Sequence, residues 1–98
     1  MALLKTIKKP NGVTLSYHRI AMVKIDVNQQ ITILVESYID EDGRNYEKAY
    51  DAGEIKGEPV FPYTESEYIS TDYDETMSIK SAYEWLKQQT GFVGSEDI

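Results

Sequence analysis

The sequence predicts an α+β domain: an antiparallel sheet of about four strands built on one long hairpin, with a C-terminal amphipathic helix packed on one face. Three observations carry the prediction. From Val13 to Val35 apolar residues recur at alternate positions, the period of a half-buried strand. Asn28-Gln29-Gln30 interrupts that alternation with polar residues, where a hairpin would turn. After Ser78, the residues Ile79, Ala82, Tyr83 and Leu86 stand at i, i+3, i+4 and i+7, one face of a helix.

Taken in order, Leu3–Lys8 reads as a short first strand, and Pro10-Asn11-Gly12 supplies a turn in which Gly can take a positive φ. The odd positions from Val13 to Val27 are apolar except Arg19, while the even ones are polar except Ile20 and Met22. A single strand of this length is unusual, and apolar residues on both parities predict a bulge or break near His18–Ala21. Ile31, Ile33 and Val35 resume the odd face, so the helix stripe and the C-terminal strand are expected to cover that face. Asp40-Glu41-Asp42-Gly43 is expected to end the hairpin as a solvated turn. Tyr46, Ala49 and Tyr50 then suggest a two-turn helix over 44–52, capped by Gly53. Ile55–Pro62 holds Gly57, Pro59 and Pro62 and reads as irregular loop; an extended strand from about Glu67 to Tyr73 follows. The helix over Ile79–Gln88 has Ser78 as N-cap, Met77 and Ala82 in staple positions, Lys87 near its C-terminal end and Gly91 as its stop. Phe92 and Val93 are expected to fold back on it. The domain is taken as 1–93, with 94–98 a loose tail.

Charge is distributed unevenly. Residues 1–35 hold five basic residues against Asp26, and residues 36–98 hold sixteen acids against five basic residues, for a net charge of −7. That balance argues against non-specific nucleic-acid binding, which needs a basic footprint. There is no cysteine, so disulfides and thiolate metal sites are excluded. The longest apolar run, Ile20-Ala21-Met22-Val23, falls far short of the ~20 residues of a membrane helix, so no membrane insertion is expected. Met-Ala-Leu-Leu-Lys lacks the regions of a signal peptide, and none is expected.

No catalytic, cofactor or metal constellation is evident. His18 is the one histidine. Ser16 lies about 7 Å from it along the same strand face and Asp26 about 26 Å, too far for a local triad. A structural role for His18 is the expectation. The Asp40–Asp42 cluster fails as a calcium loop, because Gly43 stands at position 4 and Arg44 at position 5. No G-x-G pair offers a phosphate loop. Lys5, Lys8 and Lys9 form either a solvated strand end or a contact for an acidic surface of another subunit. Eight of the eleven aromatic residues are Tyr, which serve equally in strands and at interfaces with one end wet. Tyr63, Tyr68, Tyr73 and Trp85 are the candidate interface residues. Trp85 sits beside the helix stripe and either caps the core edge or anchors a partner.

Met-Ala-Leu-Leu-Lys-Thr-Ile with Tyr17-His18-Arg19-Ile20 at the start, and Ala82-Tyr83-Glu84-Trp85-Leu86-Lys87 with Glu96-Asp97-Ile98 at the end, resemble small proteins of phage and prophage tail and baseplate modules. The likeness covers about 20 residues at each end. It implies a non-enzymatic structural or assembly protein, found in the virion or in the host cytoplasm during assembly, whose partners are protein subunits, copies of itself included. It implies no catalytic residue and no cofactor. The alternative is a small acidic module that binds or inhibits a basic host protein through the acidic Tyr63–Glu75 stretch.

Overall fold

A computed structural model describes residues 2–54, 56 and 64–98. The elements are β1 (Leu3–Lys8), β2 (Thr14–Asp26), β3 (Gln30–Tyr38), α1 (Glu41–Asp51), β4 (Thr64–Asp72), α2 (Ile79–Leu86) and β5 (Glu96–Asp97). The strands form one antiparallel sheet in the order β4-β3-β2-β1-β5, which makes the chain α+β. The segment expected as loop, Ile55–Pro62, lies outside the described residues except for Lys56, and so does Tyr63. Among the described residues, no helix is long and apolar enough to cross a membrane.

A bulge divides β2. Its pairing with β3 passes from Ile20↔Val35 to Met22↔Leu34, so Ala21 is the extra residue. One inserted residue reverses which parity faces the core. Before the bulge, His18 and Ile20 stand opposite Ser37 and Val35; after it, Val23 and Ile25 stand opposite Ile33 and Ile31. The expected single odd face of β2 is therefore corrected: Tyr17 and Arg19 lie on the other face, opposite Tyr38 and Glu36. The Asp26–Gln30 connection turns with Asn28 at φ 60, a conformation Asn tolerates, and with Gln29 N–H donating to the Asp26 carbonyl at 3.0 Å.

The main core joins Leu3, Ile20, Ile31, Ile33 and Val35 of the sheet to Ala82, Tyr83 and Leu86 of α2 and to Phe92. Ser78 and Ser81 form a reciprocal capping box at the start of α2, each side chain accepting from the other's backbone N–H. Ile79, expected in the buried stripe, is 52% exposed. It occupies the first helical position, while the contact with the sheet begins a turn later at Ala82 and Tyr83. α2 also ends earlier than expected, with Lys87 as C-cap rather than Gly91. The chain turns there so that Phe92 can enter the core.

The tail expected to be loose is a strand. Glu96 and Asp97 pair with Leu4 and Leu3, Ala2 and Ile98 exchange two backbone hydrogen bonds of 3.0 Å, and Lys87 Nζ reaches Asp97 at 3.0 Å. The outer side of β1 offers open backbone groups there, and the tail satisfies them. Among the described residues the sheet accordingly has five strands rather than about four, and β5, not α2, is the last element.

α1 covers part of the opposite face. Asp40 is its N-cap, accepting from Gly43 N–H at 3.1 Å, and Glu41 and Asp42 fill its first turn. The three acids are thus a helix start rather than the expected solvated turn, because the positive end of the helix dipole offsets their mutual repulsion. Gly53, at φ 79, closes α1: its N–H donates to the Tyr50 carbonyl and Glu54 N–H to the Ala49 carbonyl. Tyr38 joins helix and sheet. Its hydroxyl stands 2.8 Å from both the Glu36 and Glu47 carboxylates, accepts from Arg19 Nε at 3.2 Å, and Arg44 pairs with Glu47. Tyr17 packs edge-on against the Tyr38 ring at 5.7 Å.

Candidate interaction surface

His18 has the geometry nearest to chemistry. Its Nε2 lies 2.7 Å from the Lys5 carbonyl oxygen, an acceptor only, so Nε2 carries the proton. Nδ1 then accepts from the Ser37 hydroxyl at 2.7 Å. A serine bonded to a histidine is the pairing of a nucleophile with its base. Here, however, His18 is 1% and Ser37 9% exposed, and the Phe92 ring stands edge-on to the imidazole at 5.2 Å. Burial holds the imidazole pKa below its ordinary value, the Lys9 charge adds to that, and the Lys5 bond opposes it. The neutral ring is bonded at both nitrogens, and little of the pair is open to solvent.

Sequence reasoning found His18 but not Ser37. A signal was present: Ser37 continues the odd series Ile31, Ile33, Val35 and so places a hydroxyl on a buried face, where it needs a partner.

Lys9 Nζ lies 3.1 Å from Glu65 on β4. Lys9 of the basic stretch is therefore engaged within the chain.

The accessible features lie on and beside β4. β4 is the terminal strand of the sheet, paired along its nine residues with β3 on one side only among the described residues. It carries Glu65, Glu67 and Asp72 and no basic residue. Tyr68 is 67% exposed and lies in register with Leu34 and Met22, an apolar row on the sheet face away from α2. Beyond the C-terminal end of β4, residues 71–77 and Trp85 line an open groove of about 690 Å³. Its loop is braced by Asp74, whose carboxylate accepts from the Thr76 N–H at 2.8 Å and hydroxyl at 2.6 Å. Those bonds hold the Asp74 pKa below the ordinary carboxylate value. Trp85 is half-buried, packed against the core on one side and lining the groove with the other.

The structure thus brings Tyr73 and Trp85 to one groove and puts Tyr68 on the opposite face of the adjoining strand. Among the described residues, no group of three or more His, Asp or Glu side chains is arranged to hold a metal ion. The groove and strand edge offer acidic, aromatic and open backbone groups, which bind by contact and hydrogen bonding. No family model, curated protein or solved structure matches this chain.

Proposed function

We propose that this chain is a non-enzymatic structural or assembly component of a phage or prophage tail or baseplate, acting through protein–protein interfaces. One observation carries the reading: the nine-residue edge of β4, open among the described residues, adjoins the Tyr73–Trp85 groove, so backbone hydrogen-bonding groups and aromatic anchors form one continuous surface. The β2–β3 hairpin and α2 serve as the frame that fixes this surface. The likeness of the chain's ends to tail-module proteins supplies the setting, the virion or the host cytoplasm during assembly. Deleting the gene from its phage or prophage tests this directly. Defective or absent particles are the expected result, and normal, infective particles would overturn it.

A second reading, an acidic module that occupies a basic host surface, draws on Asp72, Asp74 and Glu75 beside Trp85. Co-purification separates the two. Particle proteins accompany the chain under the first reading and a host protein under the second.

A further inference from the structure

We infer that the outer edge of β4 takes up an extended, basic segment of a partner protein as an added strand. This rests on the reading of the chain as an interface protein and names the chemistry of its partner.

Alternate residues of an edge strand point both N–H and C=O away from the sheet, a template for another strand. β4 is long enough for a stable addition and, among the described residues, has no neighbour on that side. Its side chains set the character of the guest. Glu67 lies on the α2 face, opposite Val35, and Asp72 on the other face, opposite Gln30; both are exposed, and neither forms a salt bridge with a described residue. Tyr68 ends the apolar row Met22–Leu34–Tyr68, which an apolar residue of the guest would extend. A segment alternating basic and apolar residues therefore complements β4 when its basic residues lie on the α2 face beside Glu67 and its apolar residues lie on the other face beside Tyr68.

The same charges argue against a second copy. Two β4 edges would bring Glu67 and Asp72 of each chain together with no basic residue on either strand to offset them. At the other end of the sheet, the terminal strand β5 covers Leu3 and Leu4 of the basic strand β1, and the β1 ladder with β2 shifts register between Leu4 and Ile7. That leaves a short, bulged stretch, a poor match for nine residues.

The probe is a synthetic nine-residue peptide alternating Lys and Val, the length of β4, with two controls: Glu in place of Lys, and Pro in place of two Val. Binding is followed by Trp85 fluorescence, the signal of the one tryptophan, and by amide hydrogen exchange along β4. The Lys–Val peptide should bind and slow exchange at alternate β4 amides, while both controls fail. The variant Glu67→Lys, checked for an unchanged fold, should bind about tenfold more weakly or worse. Failure of the Lys–Val peptide to bind overturns the inference. So does binding that survives proline or charge reversal, and so does self-association that already protects the β4 amides without peptide. The deletion phenotype is independent of these results, so the assembly reading can stand if strand addition fails.

Discussion

Replacing Tyr83 by Phe removes one oxygen atom and leaves the ring in the core. That oxygen accepts the Ile20 N–H at 2.9 Å, beside the bulge that interrupts the β2–β3 ladder. Ile20 is 6% and Tyr83 3% exposed, so water has little access to replace the bond. An unsatisfied buried donor costs about 1–3 kcal/mol. For a domain of this size each kcal/mol corresponds to about 4–8 °C in Tm. The Tyr83→Phe variant should therefore lose at least about 1 kcal/mol in urea unfolding with an unchanged m-value, and the Ile20 amide should exchange faster than its neighbours. A loss under about 0.5 kcal/mol with Ile20 still protected would refute the claim that α2 satisfies the bulge.

Three further outcomes follow from the same structure. Leu86→Ala should cost about 2–5 kcal/mol as a core truncation, and Trp85→Ala distinctly less because one side of the indole faces the groove; equal losses would make Trp85 plain core. Asp40→Ala should cost about 0.5–2 kcal/mol through loss of the α1 cap, read by thermal melting, and Asp40→Asn should retain most of that stability; equal losses in both variants would remove capping as the cause. His18 takes up a proton less readily folded than unfolded, so its contribution to stability is full above the ordinary value of 6.5 and declines as pH falls from there through the lowered folded pKa. An imidazole that titrates at or above 6.5 in the folded protein, followed by NMR, would contradict the buried neutral ring.

The residues that could be read locally were those whose signals are local. Gly53 closes α1, Gly12 turns at φ 87 after β1, and Ser78 caps α2, each through a contact within a few positions. The bulge was visible as Ile20 and Met22 breaking the alternation, but its consequence was not. Reversed parity puts Arg19 and Tyr17 on the face of Tyr38 and Glu36, and this depends on pairing with β3. Asp40 was misread because adjacent carboxylates suggest repulsion in water, whereas the helix that follows offers them unpaired N–H groups. β5 and the His18–Ser37 bond join residues that are distant in sequence, and period alone holds no record of such partners. Of the candidate surface, the residue types were legible and the grouping was not: Tyr73 and Trp85 meet only because the 73–78 loop returns α2 to the sheet.

The most direct test of the central claim is the amount of this chain in purified particles, measured by quantitative mass spectrometry for the wild type and for a folded Tyr68→Ala, Trp85→Ala variant. Assembly through this surface predicts a fixed copy number for the wild type and marked depletion of the variant. A wild-type chain absent from particles, or a variant incorporated at the wild-type level, would contradict it.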